Sequence, residues 1–163
     1  MPLDYQTIFR ELNKEKINYL VAGGLAVNFH GIPRMTYDID LIISLATDNI
    51  SRILSKLKTW GYLPRAPVDP EQLMDEGIRN AWIKDKGMKA FTLYNDNEAI
   101  GEIDLIIDCP IPFDQLKARS INIPIKGLNI PVICLKDLIE IKSQAGRKQD
   151  LADAEHLKKL LDQ

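Results

Sequence analysis

Tyr5, Ile8, Phe9 and Leu12 recur at helical spacing behind Asp4, an N-cap type, so residues 4–16 read as an amphipathic helix. The unbroken apolar run to Ala22 predicts a short buried strand over 17–22. A helix is expected over 24–30, with Gly31 at the C′ position, and Pro33 keeps the next residues extended. Residues 39–44 form a second strand. Ile50, Ile53, Leu54 and Leu57 mark one face of a helix over 47–60, capped by Thr47 or Asp48 and stopped by Gly61. Three prolines between Leu63 and Pro70 predict a loop or insertion, followed by one or two helical turns over 71–76. Residues 81–84 and 90–94 read as antiparallel strands joined through Asp85-Lys86-Gly87. A strand over 101–107, a short helix over 112–118 and a hairpin (121–125 and 128–133) around Lys126-Gly127 follow. Helices over 136–145 and 149–161, separated near Gly146, finish the chain. The pattern is that of an α/β (α+β) protein: a small mixed sheet flanked by helices, with a C-terminal helical pair. We expect one domain over 1–163, its core at 17–133 and the helical pair at 135–162.

Composition narrows the class. The 163 residues are 45% hydrophobic and 27% charged, enough for a real core without disulfides. With 21 basic and 23 acidic residues the net charge is −2, so no global basic field draws the chain to nucleic acid. Cys109 and Cys134 lie far apart and form no metal or redox spacing. Reduced thiols suit the cytosol. No apolar run approaches the roughly 20 residues that span a bilayer. The expectation is a soluble, cytoplasmic protein without a membrane partner.

The chemistry concentrates in two short segments. Gly23-Gly24 follows the first strand, and Asp38-Ile39-Asp40 opens the second. Side chains alternate along a strand, so Asp38 and Asp40 share one face. Two carboxylates side by side repel unless a cation lies between them, and hard divalent ions favour carboxylate oxygen. The run Ile39-Asp40-Leu41-Ile42-Ile43 recurs as Ile103-Asp104-Leu105-Ile106-Ile107, suggesting a neighbouring strand with a third carboxylate, Asp104. Glu102 and Asp108 are alternatives of the same parity. Three such acids suit two metals about 4 Å apart. The glycines let backbone approach a phosphate closely, and a helix starting there offers free N–H groups. The alternative for Asp104 is a solvated sheet edge, and a lone Gly-Gly is usually only a tight turn.

Gly-Gly, a spacer, then Asp-Ile-Asp in a strand resembles the nucleotidyltransferase superfamily with the polymerase β-like palm. Gly23-Gly24-Leu25-Ala26-Val27 with Arg34-x-Thr36-x-Asp38-Ile39-Asp40 is similar to its minimal branch, the AbiEii-type toxins and small stand-alone nucleotidyltransferases. The run Lys142-x-x-Ala145-Gly146-Arg147-Lys148-x-Asp150-x-x-Asp153 is similar to the tail of that branch. The likeness spans residues 17–45 and 100–155, leaving out the proline-rich insertion. Gly24 stands where polymerases of the superfamily have serine, so one side-chain phosphate contact is lost. The resemblance implies a palm sheet and an enzyme moving a nucleoside monophosphate from an NTP to an acceptor hydroxyl. It implies two Mg²⁺ ions, with Mn²⁺ able to substitute, held by Asp38, Asp40 and Asp104 as catalytic residues and metal ligands. It implies a nucleotide site of Gly23, Gly24, Arg34, Thr36, Lys142, Arg147 and Asp150, with Lys142 on the leaving pyrophosphate and Asp150 orienting Lys142 or Arg147. The resemblance leaves the acceptor open among a small molecule, the 3′ end of tRNA and a protein side chain. An RNA acceptor would need a basic groove, with Lys86, Lys89, Lys126 and Arg147 as candidates. The competing reading is a catalytically weak binding module of a toxin–antitoxin pair, with a partner protein.

Other residues carry simpler readings. Lys142 and Asp150 could equally be a solvated helical surface with ordinary ion pairs. Arg34 could be an exposed loop arginine. His30 reads as a helix-end residue, His156 as solvent-facing, and Trp60 and Trp82 as packing. Asp48, Asp114 and Asp137 read as helix caps, and Lys56 and Lys58 as a polar helix face. A P-loop or dinucleotide fold is disfavoured, because GxxxxGK[ST] and a third spaced glycine are missing.

Overall fold

A computed structural model describes residues 3–163; Met1 and Pro2 lie outside the described residues. The elements run α1 (Tyr5–Lys14), β1 (Tyr19–Ala22), α2 (Gly23–Phe29), β2 (Asp38–Ile43), α3 (Thr47–Thr59), β3 (Leu63–Pro64) and a 3-10 turn (Pro70–Met74). They continue α4 (Glu76–Lys86), β4 (Ala90–Tyr94), β5 (Glu102–Ile106), α5 (Phe113–Arg119), β6 (Ile121–Ile125), β7 (Leu128–Val132), α6 (Leu135–Ala145) and α7 (Lys148–Leu161). The fold class expected from the sequence holds: a mixed sheet with helices around it and a helical pair at the end. Among the described residues no helix is long and apolar enough to cross a membrane.

The sheet has seven strands in the order β3-β4-β5-β2-β1-β7-β6. β1 runs antiparallel to β2 and parallel to β7, and β2 runs parallel to β5. β1, β2 and β5 are therefore interior strands, and their apolar side chains are almost wholly buried: Leu20, Val21, Ile39, Leu41, Ile103 and Leu105 form the core of the sheet. The residues of β2 that alternate with this buried set at its start are Asp38 and Asp40, which are only partly covered. A strand that begins polar on one face and ends buried on both sets a site at the sheet's rim.

One element differs from the sequence reading. Residues 81–84 are not a strand but the middle of α4. Ala81-Trp82-Ile83 looks like a strand locally, yet Asp75 caps Ile78 N–H and Gly87 closes the other end at φ +63°. Ile78 and Trp82 are then one turn apart on the inward side, and Trp82 stacks on Phe91 of β4 at 5.8 Å. β4 pairs instead with β5, from Ala90↔Ile106 to Tyr94↔Glu102. The proline-rich stretch supplies the edge strand β3 and the 3-10 turn.

Some caps also differ. Ala46 occupies the N-cap of α3, and Asp48 instead pairs with Arg52 at 2.6 Å. Asp114 and Asp137 lie inside the first turns of α5 and α6. Asp137 is buried and takes both arms of Arg119 at 3.0 and 3.1 Å, tying α6 to α5. Lys56 is not simply solvated. It reaches Glu11 and Glu15 and lies over Trp60, bracing α3 against α1. His30 donates from Nε2–H to Ile133 O, 2.8 Å away.

Candidate active site

Three residues of one sheet face meet where β2, β5 and the start of α2 converge. The parallel register sets Asp38 beside Glu102 and Asp40 beside Asp104. On the other flank Ala22 is opposite Asp40, so the chain turns into α2 directly against that carboxylate. Gly23 makes the turn at φ +59°, and a β-carbon there would overlap Asp40 Oδ2. Only a glycine permits both the left-handed backbone and this close approach. α2 is just seven residues long, so an anion at this corner would be held by the unpaired N–H groups of its first turn more than by a long helix dipole.

The acids press on one another. Burial, a hydrogen bond and charge from Asp104, and the charge of Asp38 push Asp40 up to about 7, with Lys142 working against them. Asp38 is raised by burial first and then by Glu102 and Asp104, against Arg65. Asp104 also accepts a hydrogen bond from Thr92 Oγ1 at 2.5 Å. Of the two alternatives to Asp104, Glu102 is taken by Arg65 at 2.7 Å, and Asp108 lies beyond β5 and pairs with Lys89. Among the described residues no three His, Cys, Asp or Glu side chains form a ready-made metal cage. The trio is a shared face in register, with Asp40 and Asp104 as its tight pair.

The C-terminal helices close the other side. Lys142 of α6 is only 7% exposed, and its Nζ lies 3.4 Å from Asp150 and 3.0 Å from Asp153, both buried on α7. Arg147 bonds Asp150 through Nε at 2.7 Å. The alternative of a solvated surface for Lys142 and Asp150 is thereby excluded. Burial acts to raise Asp150, but Arg147 and Lys142 outweigh it and hold it below the usual carboxylate range. Arg147 is raised mainly by Asp150, and the field of Asp40 also reaches it. Arg34, from the loop before β2, is ion-paired with Asp153 rather than free in solvent. Its guanidinium, with Thr36 Oγ1, lies above Gly24, where a β-carbon would sit 3.5 and 3.4 Å from them.

Of the residues singled out in the sequence, Asp38, Asp40 and Asp104 share one sheet face beside the Gly23 turn, Arg34 and Thr36 lie over Gly24, and Lys142, Asp150 and Arg147 form a group on the C-terminal helices that Asp153 links to Arg34. The reading missed Asp153 as a site residue, although it stands one turn after Asp150. It also missed Thr92 and Arg65, for which nothing local in the sequence gives a signal. Arg65 stacks on Tyr94 at 4.4 Å, so the insertion outside the family likeness reaches the edge of the site.

An open mixed palm with acids on adjacent strands beside a glycine turn defines a class of fold. No family model matches the chain, and no curated protein matches it. Solved structures do. The lincosamide antibiotic adenylyltransferase LnuA, bound to lincomycin, is similar with a TM-score of 0.62 at 18% identity, over 97% of this chain and 98% of that one. ANT(2")-Ia, in complex with adenylyl-2"-tobramycin, is similar with a TM-score of 0.57 at 12% identity, over 93% and 83%. An antigenic nucleotidyltransferase-like protein from Paracoccidioides brasiliensis has a TM-score of 0.53 at 18% identity, over 98% and 79%. At these identities the likeness is one of fold. The chain has the nucleotidyltransferase fold.

Proposed function

We propose that the chain is a metal-dependent nucleotidyltransferase that moves a nucleoside monophosphate from an NTP to a hydroxyl of a small-molecule acceptor, releasing pyrophosphate. The observation that carries this reading is the in-register pair Asp40–Asp104, with Asp38 beside it, pressed against the turn at Gly23. Burial first and then the neighbouring acids raise Asp40 and Asp38, and the cations opposite them are engaged by Asp150 and Asp153. An all-carboxylate donor set short of positive charge fits Mg²⁺, or Mn²⁺ in its place. Asp38, Asp40 and Asp104 would hold it. When bound, such ions neutralise triphosphate charge and lower the pKa of the attacking hydroxyl.

The chain's own residues then divide the work. Gly23 lets the turn pack against Asp40, and the first N–H groups of α2 would offer a phosphate its backbone contacts. Lys142 and Arg147 offer charge to the triphosphate, and Arg34 and Thr36 lie over the glycine turn. Fixed charges and fixed geometry supply most of the catalysis in such an in-line displacement. The small-molecule acceptor is supported by the antibiotic-bound neighbours. An RNA acceptor gains no support from the lysines considered for it. Lys126 is in the β6–β7 hairpin at one sheet edge, whereas Lys86 and Lys89 flank the start of β4 near the other. Resemblance to the AbiEii-type branch, and with it the toxin–antitoxin alternative, rests on sequence motifs alone.

The test is label transfer. The protein is incubated with each α-³²P-labelled NTP, Mg²⁺ and a panel of hydroxylated small molecules that includes aminoglycosides and lincosamides, and separately with total RNA. Label should move to a small molecule, and Asp40→Ala should abolish it. Transfer to RNA would replace the acceptor class. Metal-independent NTP binding with no transfer anywhere would favour the binding module.

A further inference from the structure

Asp153 joins two cations that lie far apart in the sequence. It pairs with Arg34 of the loop before β2, and with Lys142 of α6 at 3.0 Å. Gln149 donates to its other oxygen at 3.0 Å. Asp153 is buried, so these partners rather than water satisfy it. Arg34 sits on an exposed segment: Met35 is 80% and Tyr37 64% accessible. An arginine in such a loop normally samples many rotamers, and each lost on binding costs affinity. Here it is clamped, and clamped over Gly24, with Cζ and Nη1 3.5 Å from where a β-carbon would stand.

We propose that Asp153 is a positioning residue for nucleotide binding: it holds Arg34 over the glycine turn and ties it to Lys142 of α6, so that a triphosphate meets a cation already in place. This rests on the reading above. A carboxylate serving only to mask positive charge would engage one cation fully. Asp153 instead divides itself between two cations and a glutamine. Lys142 is buried and engages Asp150 as well, whereas the guanidinium of Arg34 has five N–H donors and meets Asp153 through Nη1, so Arg34 can add phosphate contacts without releasing Asp153.

The experiment is calorimetric binding of the α,β-methylene analogues of ATP, GTP, CTP and UTP, with Mg²⁺, to the intact wild type, Asp153→Asn, Arg34→Ala and the double variant. Circular dichroism checks that each is folded. Asp153→Asn should weaken the best analogue about tenfold, the worth of a charge-assisted contact. In the Arg34→Ala background most of that loss should vanish, which a merely structural role would not produce. Should Asp153→Asn fail to fold, Asp153→Glu keeps the charge but shifts it by one methylene, and it should still weaken binding several-fold. Equal or tighter binding by a folded Asp153 variant, or full additivity with Arg34→Ala, overturns the proposal alone. No binding of any analogue by the wild type overturns the nucleotide-site reading itself.

Discussion

Gly23 and Gly24 are adjacent, yet their side-chain tolerance should differ sharply. Gly23 has φ +59° and no room for a β-carbon, because Asp40 fills the space. Gly24 has an ordinary backbone, and a β-carbon there would make normal contacts with Thr36 and Arg34. Gly23→Ala should therefore destabilise the fold by about 2–3 kcal/mol, from left-handed strain and overpacking, and displace the Asp40 carboxylate. Gly24→Ala should cost no more than about 1 kcal/mol. Urea unfolding of the two variants gives the comparison. Equal stabilities would mean that the turn is not packed on Asp40 as described.

Besides its apolar face, α3 is tied to the sheet by a buried amide. Asn49 accepts from Asn18 N–H at 2.8 Å and donates to the carbonyls of Asn18 and Ser44 at 3.0 and 2.9 Å. It thereby bridges the entrance to β1 and the exit of β2. Asn49→Ala leaves Asn18 N–H and Ser44 O without this partner, while Asn18 O keeps Ser44 N–H, and should cost about 2–3 kcal/mol. Asn49 joins the ends of β1 and β2 remote from Asp40, so the folded variant should bind NTP analogues like the wild type. Denaturation midpoints together with calorimetric binding test both halves. Loss of binding without loss of stability would contradict the division of labour between α3 and the site.

For the whole molecule, the buried acid face works against folding when it is charged. Asp40 titrates near 7 in the folded chain, against 3.8 for the ordinary side chain. A carboxyl raised by folding contributes stability that is fully present below about pH 4 and is lost as pH rises through 7. At pH 8 the metal-free Asp40→Asn variant should consequently be more stable than wild type, by on the order of 2 kcal/mol, and the gap should narrow at pH 5. Mg²⁺ should raise the wild-type melting temperature more at pH 8 than at pH 5, and leave Asp40→Asn nearly unmoved. Scanning calorimetry with EDTA and with Mg²⁺ reads all of these. A variant no more stable than wild type at pH 8 would mean that burial and the neighbouring acids do not penalise a charged Asp40.

Much of this was written locally. A period of two puts Asp38 and Asp40 on one face wherever β2 ends up, and Gly-Gly between an apolar run and a helical pattern makes a tight turn in any fold. Local pattern misled at α4, where Ala81-Trp82-Ile83 has strand character but caps ten to a dozen positions apart, Asp75 and Gly87, impose a helix. The repeated Ile-Asp-Leu-Ile-Ile run pointed to a neighbouring strand carrying Asp104, but its register and the longer-range pairings were out of reach of such reasoning. That β5 lies beside β2 in the register joining Asp104 to Asp40 depends on sheet order, which follows from how the intervening elements pack. That Asp153 reaches Arg34 depends on α7 folding back over residues 119 positions earlier. Charge pairs of that separation form only after the core has brought their elements together, and periodicity carries no information about which will meet.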